Sequence, residues 1–501
     1  MRTILTSGQI RQADEYTITH EPIASVDLME RAARAFVDEF AKRYPQKKLT
    51  IALYCGTGNN GGDGLAIARL LYERGYQEVK VTVAHFGSRS TNDFDENLRR
   101  LRSRPIPLKE ISSAVEVGTE DSDIIIDALL GTGLNKPISG DFELLVKKLN
   151  DIRKPVVSVD IPTGFFADEE IPENAACIKS ELTITFQQPK INFLLPESFP
   201  AVKEWVAVDI GLDQQFIQQL GSPYQYIQAE DVKAMLKKRE RFSNKGSYGH
   251  ALIVAGQPET MGAALLCSAA CVHAGAGLTT AYIPQSGLFA LNSYMPEIMA
   301  IVRDPKSFTQ ISWSKFSGLA IGPGLGQDDE ALTLLKLVTA HFQKPMVVDA
   351  DALNVLAKYK ELWRFLPKGS ILTPHMKEFD RLFGEHKNWR QRVETARQWA
   401  QERELFIVLK NTYTIIATPE GKVYFNSTGN PAMATGGMGD VLTGVISALL
   451  SQNYTPAEAC LAGVYVHGLA GDELALPDQR HVVLPHKVAE HVPVVLTKLM
   501  A

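Results

Sequence analysis

The sequence predicts an α/β protein with two domains, each containing a mainly parallel sheet. The chain has 501 residues, too many for one ordinary core. Short apolar runs suited to buried strands alternate with helical stretches in both halves. Hydrophobic residues make up 45% of the chain and charged residues 22%, as in ordinary soluble globular proteins.

Composition excludes several classes of protein. The net charge is −5, from 52 basic and 57 acidic residues, and no basic block is present, which argues against nucleic-acid binding. The five cysteines are odd in number and lack a CxxC pair, which argues against a disulfide framework or a zinc site. We find neither a signal peptide's apolar core nor an apolar run of membrane-spanning length. We therefore expect a cytoplasmic protein with no membrane partner.

The first half predicts a helix over 25–40, which Ser25 could cap, followed by alternating strands and helices. The predicted strands are 49–55, 79–86, 123–127 and 156–160, with helices over 65–74 and 142–149. An irregular segment over 189–221 then ends in Gly221-Ser222-Pro223. We therefore predict domains over 1–221 and 222–501.

The second half restarts the same alternation. The predicted strands are 251–255, 278–283, 319–321, 346–349, 371–373 and 406–410, and the predicted helices are 263–274, 441–450 and 457–470. Several of these strands end in loops rich in polar residues and glycine. Because ligands bind at the carboxyl ends of strands in open α/β sheets, these loops are candidate binding loops.

A Gly-rich loop over 56–64 follows the first long strand and matches G-x-G-x-x-G at Gly56, Gly58 and Gly61. A standard dinucleotide site also has an acidic residue about 20 positions later, for the ribose. Residues 79–92 contain no Asp or Glu, so ordinary NAD binding by a dehydrogenase is not expected. The polar Asn-Asn-Gly-Gly-Asp insertion instead suits a cation or a sugar hydroxyl.

Two more loops, over 127–137 and 160–164, follow strands that end in Asp127 and Asp160. Together with Asn60 they predict an oxygen-lined pocket, and hard cations prefer oxygen ligands. The alternative is that the two aspartates cap neighbouring loops and that the glycines only turn the chain.

These loops, with the string Leu28-Met29-Glu30-Arg31-Ala32, resemble the N-terminal domain of the NAD(P)H-hydrate epimerases over about residues 1–215. The resemblance implies a Rossmann-like parallel sheet, K⁺ bound by Asn60, Asp127 and Thr163, and Asp160 as acid/base. The implied substrate contacts are Asn59, Asn60, Gly61, Gly62, Asp63, Gly131, Thr132, Gly133, Leu134, Asn135, Lys136, Pro137 and Asp160.

The most informative stretch of the second half is the Gly-rich loop 430–440, which ends in Asp440 before an apolar helical pattern. Glycines and a helix N-terminus together favour a bound anion. A carboxylate beside a phosphate is costly unless it does chemistry, such as taking a proton from a substrate hydroxyl. The alternative is a turn in which Asp440 is the helix N-cap.

Further loops at 245–250, 322–326, 349–353, 373–378 and 410–414 carry charged residues and glycines. All but the first lie at predicted strand ends. Each alone could be a turn or a helix cap, and His375 in particular could be a hydrogen-bonded cap.

Taken in order, these loops resemble the ribokinase-like superfamily, and most closely its ADP-dependent NAD(P)H-hydrate dehydratases, over about residues 225–495. The resemblance implies Mg²⁺, ADP as phosphoryl donor, and Asp440 as the base. The implied substrate contacts are Gly324, His375, Met376, Lys377, Glu378, Phe379, Asp380, Arg381 and Asp440. The implied nucleotide contacts are Lys410, Asn411, Thr412, Tyr413, Thr414, Asn430, Pro431, Ala432, Met433, Ala434, Thr435, Gly436, Gly437, Met438 and Gly439.

The chain departs from the usual dehydratase pattern at several positions. Met438 stands where Ser is usual, Met376 and Lys377 replace Pro-Gly, and Asn411 replaces Gly. The loop 256–262 lacks the usual Ser and Tyr. These changes bear on nucleotide affinity and preference rather than on the fold.

The two resemblances together imply a homo-oligomeric bifunctional enzyme that repairs NADHX and NADPHX, the hydrated nicotinamide cofactors. One domain would interconvert the R and S forms, and the other would dehydrate the S form to NAD(P)H. Two alternatives remain: a small-molecule kinase of the same fold, and a nucleotide-sensing protein without turnover.

Overall fold

The computed structural model describes residues 1–87, 89–304, 307–477 and 479–501. The chain divides into two compact units. One is Thr3–Ser222, and the other comprises Met1–Arg2 together with Pro223–Ala501. The assignment of separate activities to residues 1–221 and 222–501 stays a prediction.

The first unit is built on a seven-stranded parallel sheet; the sequence predicts a parallel sheet for this half, but only four of its strands. The strands of this sheet are β2 (Ile51–Cys55), β3 (Val79–Ala84), β4 (Leu108–Ile111), β5 (Ile124–Ala128), β6 (Val156–Val159), β7 (Ser180–Phe186) and β8 (Val202–Val208). The short strand β1 (Arg2–Thr3) precedes them in the chain and belongs to the larger sheet described below. The sheet order is β4-β3-β2-β5-β6-β7-β8, and every pairing is parallel. The helices are α1 (Ser7–His20), α2 (Ser25–Arg43), α3 (Asn59–Glu73), α4 (Asn92–Arg102), α5 (Asp141–Asp151) and α6 (Gln214–Gln219).

Several features of the first unit differ from the sequence prediction. The strands β4 and β7 and the helices α1 and α4 have no predicted counterpart. The segment 189–221 is not wholly irregular, because it contains the helix α6 and the edge strand β8, where Lys203 and Glu204 are exposed. An edge strand that is only partly buried shows no continuous apolar run, so its pattern is weak. Ser25 is not a cap either: Ala24 is the N-cap of α2, and the Ser25 hydroxyl donates to Asp93 at 2.6 Å.

The second unit is built on the larger sheet. Its strands are β9 (Tyr224–Tyr226), β10 (His250–Val254), β11 (Leu278–Ile283), β12 (Met299–Val302), β13 (Gly318–Ile321), β14 (Val347–Val348), β15 (Ile371–Leu372), β16 (Phe406–Leu409), β17 (Ile415–Ala417) and β18 (Val423–Phe425). The order is β1-β9-β18-β17-β16-β15-β14-β13-β10-β11-β12. The strands from β10 to β16 pair in parallel, whereas β17 is antiparallel to both β16 and β18.

Ten helices of the described chain belong to this unit. They are α7 (Ala229–Met235), α8 (Met261–His273), α9 (Leu288–Tyr294), α10 (Asp329–His341), α11 (Ala350–Lys358), α12 (Met376–Phe383), α13 (Trp389–Arg403), α14 (Met438–Ser451), α15 (Pro456–Ala475) and α16 (Pro485–Met500). No helix in the described ranges is long and apolar enough to cross a membrane.

The helix α14 lies in the core of the second unit, because nearly every residue after its first turn is apolar and buried. It packs against α8 and α15. A methyl group on Gly444 would lie 2.2 Å from the carbonyl oxygen of Cys267 in α8, so the two helices touch through their backbones. This packing fixes the N-terminal turn of α14, which carries Asp440.

Candidate active sites

A cavity of about 520 Å³ in the first unit collects several of the predicted site residues. The predicted residues that line it are Asn59, Asn60, Asp63, Gly131, Thr132, Gly133 and Asp160. Others that line it were not predicted, among them Arg11, Asp14, Thr91, Gln187 and Lys190. The strand-end loops therefore meet at one site, as parallel topology requires.

Asp160 is held firmly at the end of β6. Its Oδ1 accepts hydrogen bonds from the Thr185 hydroxyl (3.0 Å), the Phe186 N–H (2.9 Å) and the Lys190 ammonium (2.8 Å). The Lys190 side chain is only 1% exposed, so this ion pair is buried. Asp160 has a φ of 61°, a conformation that is uncommon and costly for a residue with a side chain. The surroundings thus fix the orientation of this carboxylate toward the cavity.

Asp14, on α1, is a further acid in this cavity that sequence reasoning missed. Burial, with a further contribution from Asp160, raises the pKa of Asp14 to about 7. Burial also raises the pKa of Asp63 well above its usual range, with contributions from Asp160 and Asp14. Asp14 carries no motif, because it is a single acid in a helix that lies outside the strand-end loops.

The glycines of the first loop mainly allow close backbone packing. A methyl group on Gly61 would lie 1.9 Å from the Gly56 carbonyl oxygen, and one on Gly56 would lie 2.1 Å from that of Leu129. A methyl group on Gly62 would meet Met29 Sδ at 2.9 Å. Gly61 and Gly62 are buried and do not line the cavity. Their contact with substrate stays a prediction.

The last four residues of the predicted 131–137 segment also lie outside the cavity lining. Leu134 packs against a hydrophobic cluster, whereas Asn135, Lys136 and Pro137 are exposed. Their role in substrate binding likewise stays a prediction.

Asp127 and Thr163, two of the predicted K⁺ ligands, are in direct contact. The Thr163 hydroxyl donates to Asp127 Oδ1 at 2.6 Å and its N–H donates to Oδ2 at 2.8 Å, while Ser158 and the Leu129 N–H also donate. Burial raises the pKa of Asp127, and these hydrogen bonds oppose the shift. The third residue, Asn60, is buried beside Gly131, and its Nδ2 has no hydrogen-bond partner.

A second cavity, of about 400 Å³, lies in the second unit. The predicted nucleotide residues that line it are Lys410, Asn411, Thr412, Thr414, Asn430, Pro431, Met433, Ala434, Met438 and Gly439. Tyr413, Ala432, Thr435, Gly436 and Gly437 do not line it. Residues that were not predicted also contribute, namely Asn426, Thr428, Gly429, Leu442, Val464, His467 and Gly468.

The start of α14 borders this cavity. The helix begins at Met438 after Gly437, whose φ of 97° is left-handed and favours glycine. Asp440 is therefore in the first turn, and the alternative that it is the N-cap is wrong. Burial, followed by repulsion from Asp349, raises the pKa of Asp440 to about 7, although Lys410 opposes the shift. Asp440 follows Gly439 directly, next to the cavity lining.

Lys410 links the two sides of this site. Its ammonium donates to Asp349 Oδ1 at 2.9 Å, and the Thr443 hydroxyl donates to Asp349 Oδ2 at 2.7 Å. A methyl group on Gly439 would lie 3.2 Å from Lys410 Nζ, so the ammonium lies against the first turn of α14. A buried cation beside a helix N-terminus is a favourable setting for phosphate.

The stretch 375–381 is largely engaged in local structure. His375 is the N-cap of α12, and its Nδ1 accepts hydrogen bonds from the Lys377 and Glu378 N–H groups at 3.1 and 3.2 Å. The capping alternative for His375 is therefore observed. Phe379 is fully buried, and Asp380 pairs with Arg392 at 2.7 Å. Substrate contact by the residues of this stretch, including Met376 and Arg381, stays a prediction.

The loop 322–326 is tied to its surroundings by hydrogen bonds. The Thr260 hydroxyl donates to the Gly324 carbonyl at 2.7 Å, and the Gly326 N–H donates to Asp351 at 2.9 Å. Gly324 has a φ of 57°, and a methyl group there would lie 2.6 Å from the Thr260 carbonyl oxygen. The backbone conformation and this close approach therefore require glycine at position 324. Contact of Gly324 with substrate stays a prediction.

The two units define a two-domain α/β enzyme with one cavity suited to acid–base chemistry and one suited to a phosphorylated ligand. Residues 25–192 match the family described as YjeF-related protein N-terminus, and residues 251–494 match the family described as NAD(P)H-hydrate dehydratase. The chain belongs to the bifunctional NAD(P)H-hydrate repair enzyme family.

Relatives named bifunctional NAD(P)H-hydrate repair enzymes match almost end to end. One from Moorella thermoacetica is 33% identical and aligns over 99% of this chain and 97% of its own length. One from Escherichia coli K12 is also 33% identical, over 94% of this chain and 90% of its own. A solved ribokinase-like superfamily protein from Enterococcus faecalis V583 covers 56% of this chain and 97% of its own, with 29% identity and a TM-score of 0.51. The predicted ribokinase-like fold is confirmed.

Proposed function

We propose that this enzyme repairs hydrated nicotinamide cofactors, with epimerisation of NAD(P)HX in the first unit and dehydration of its S form in the second. ADP is the proposed phosphoryl donor. The observation that carries the proposal is Asp440, a partly buried carboxylate at the N-terminus of α14, beside the Lys410 ammonium and the second cavity.

In the second unit, phosphorylation would turn the hydroxyl of the hydrate into a good leaving group. Asp440 would take the proton from that hydroxyl, and a base with a pKa near 7 is well matched to this task. The first amides of α14 have no partner within the helix, so they and Lys410 would stabilise charge on the transferring phosphoryl group. Elimination of the phosphate ester would then restore NAD(P)H.

Mg²⁺ is proposed to enter with the nucleotide. Across the part of the chain that the structure describes, no group of three or more His, Cys, Asp or Glu is arranged to hold a metal ion. Mg²⁺ commonly relies on one or two carboxylates together with substrate phosphates. Asp349 is engaged with Lys410, and Asp351 accepts hydrogen bonds from the Gly326 N–H and the Gln327 amide. Asp440 is therefore the nearby acid proposed to assist.

In the first unit, Asp160 would act as an acid/base on the carbon that bears the hydroxyl. Its Oδ1 is occupied by three donors, whereas Oδ2 accepts no hydrogen bond from the described residues. The Lys190 ammonium lies 2.8 Å from Oδ1, so Oδ2 is the carboxylate oxygen left to take a proton. Asp160 is therefore suited to start as the base.

The two alternative functions are not favoured. A small-molecule kinase would have no use for an epimerase-like unit, yet the relatives align over both units. A protein that only senses nucleotide would have no need of a carboxylate whose pKa lies near 7 beside the cavity.

Incubation of the protein with S-NADHX and either ADP or ATP tests the proposal directly. We expect NADH absorbance to appear with ADP at a rate proportional to enzyme, and no enzyme-dependent NADH without nucleotide. The R form should be consumed as well, after conversion to S. Absence of NADH with both nucleotides would refute the proposed function.

K⁺ is proposed to bind near Asp127, Thr163 and Asn60. Asp127 is fully buried and forms no ion pair with the residues that the structure describes, so a cation would offset the cost of its charge. Asn60 Nδ2 has no hydrogen-bond partner, and a half-turn of the side-chain amide exchanges its nitrogen and oxygen. Asn60 could therefore supply its amide oxygen to the cation. Threonine and asparagine oxygens are suitable ligands.

We expect replacement of K⁺ by tetramethylammonium to slow epimerisation by roughly tenfold or more, in line with the sensitivity of metal sites to their ligands. Initial rates of R-to-S conversion would be followed by chromatography without nucleotide. Thr163→Val, which is nearly isosteric, should raise the K⁺ concentration needed for half-maximal rate. Equal rates in both salts would remove K⁺ from the proposal.

We also propose that the enzyme acts in the cytoplasm as a homo-oligomer. All five cysteines are free, which suits a reducing compartment.

A further inference from the structure

Asp14 stands out in the first cavity because no established or proposed role uses it. It projects from α1, whereas the other acids come from α3 and from the loop after β6. Among the described residues, no hydrogen bond or ion pair engages its carboxyl group. Asp160, by contrast, is held by three donors. A partly buried, unpartnered carboxyl group that lines a cavity is costly unless it serves a ligand.

The charges around the cavity favour one retained proton. Three carboxyl groups, those of Asp14, Asp63 and Asp160, share the single buried ammonium of Lys190, which donates to Asp160. Like charges in one cavity cannot all ionise easily. Burial raises the pKa of Asp14 to about 7, Asp160 and Glu15 add to this rise, and Lys190 opposes it. Arg11 also lines the cavity, from the previous turn of α1.

The proposed epimerisation needs an acid as well as a base. The hydroxyl of the hydrate lies on a carbon next to the ring nitrogen. When the C–O bond breaks, its electron pair leaves with the oxygen, which must gain a proton to depart as water. The nitrogen lone pair then forms a C=N bond. When water adds to the other face, a new C–O bond forms, the C=N pair returns to nitrogen, and one proton of the water passes to a base.

We propose that Asp14 is the second acid–base catalytic residue of the epimerase cavity, which protonates the departing hydroxyl while Asp160 receives the proton from the returning water. This inference rests on the proposed epimerase function. Asp160 suits the role of base because three donors fix its Oδ1 and leave Oδ2 to accept a proton. Asp14 suits the role of acid because no cation among the described residues is paired with it. In the reverse direction the same two groups exchange protons in the opposite sense.

The test compares the full-length enzyme with Asp14→Asn, Asp14→Glu and Asp121→Asn. Asp121→Asn is the control, because it removes one carboxylate charge from the same unit at a side chain that is 97% exposed. R-to-S conversion of NADHX would be measured without nucleotide, with the spontaneous rate subtracted. We expect Asp14→Asn to lower kcat by roughly 100-fold or more with KM within about threefold, as for loss of a general acid. Asp14→Glu should have a kcat at least about tenfold above that of Asp14→Asn, and Asp121→Asn should match wild type.

Four further measurements separate catalysis from structure. Wild-type kcat should fall as pH rises through about 7, where Asp14 loses its proton, and this alkaline limb should be absent in Asp14→Asn. In ¹⁸O-labelled water, each inversion should place one solvent oxygen on the product. Asp14→Asn should keep full dehydratase activity and melt no lower than wild type at pH 8, where the ionised acid is a cost.

Several outcomes would overturn the inference. They are an Asp14→Asn kcat within threefold of wild type, a rise in KM with kcat unchanged, or retention of the original oxygen. Failure of the wild-type enzyme to epimerise NADHX at all would instead refute the proposed function, and the inference with it.

Discussion

We expect Asp440→Asn to abolish dehydration of S-NADHX while R-to-S conversion continues at the wild-type rate. The amide keeps the shape of the carboxylate but cannot accept the substrate proton, and loss of a general base costs roughly 10²–10⁴-fold in kcat. The helix that carries it is buried, so the backbone position should not change. NADH formation with ADP and chromatography of the two epimers would be measured on the same preparation.

The matched control is Asp329→Asn, an exposed acid in the first turn of α10. It should leave both activities unchanged. A parallel loss of both activities in Asp440→Asn would contradict separate sites, and unchanged dehydration would remove Asp440 from its proposed role.

The pH dependence of dehydration follows from the same residue. Because burial raises the pKa of Asp440 to about 7, kcat/KM should rise with pH up to that value and then level off.

The stability of the folded chain should show the opposite trend with pH. Between the usual pKa of 3.8 and about 7, the folded chain holds a proton that the unfolded chain has lost, so this group's contribution to stability falls as pH rises. Asp440→Asn should therefore be more stable than wild type at pH 8, by about 4 kcal/mol, and nearly equal at pH 4.

The second large effect is expected at Asp160. Asp160→Asn should lower the epimerisation rate by roughly 100-fold or more and leave dehydration intact. It should also lower the melting temperature, because Lys190 would keep a buried charge with no partner. Both epimer conversion and thermal unfolding would be measured.

The double variant Asp160→Asn with Lys190→Met distinguishes catalysis from folding. Removal of the buried ammonium along with the carboxylate should restore much of the lost stability without restoring epimerisation. If the double variant regained activity together with stability, Asp160 would be a structural residue only.

The sequence predicted those elements whose pattern is strong on its own. β2, β5 and β10 are fully or almost fully buried apolar runs, so they were visible to within one or two residues. β8 was missed because it is only partly buried, and β17 and β18 were missed because three-residue strands carry too few positions to show a period. Such short strands are stabilised by pairing with neighbouring strands. The residues of those partners lie elsewhere in the chain, so the local sequence pattern does not reveal the strand.

The same distinction applies to the sites. Asp440 was found because its glycines and the following helix form a local pattern. Asp14 and His467 lie on helices without such a pattern, and only the fold brings them to the cavities. His375 shows the converse: its motif is distinctive, yet its ring caps α12.

The backbone contact between Gly444 and Cys267 has a consequence for how this enzyme could evolve. Because α14 packs closely against α8, the packing of the core fixes the position of the Asp440 carboxylate. Small shifts of that helix therefore cannot adjust it. Adaptation to another nucleotide or acceptor alcohol would then have to proceed through the surface loops around 410–414 and 430–436. Asn411 lies in the first of these loops and lines the second cavity.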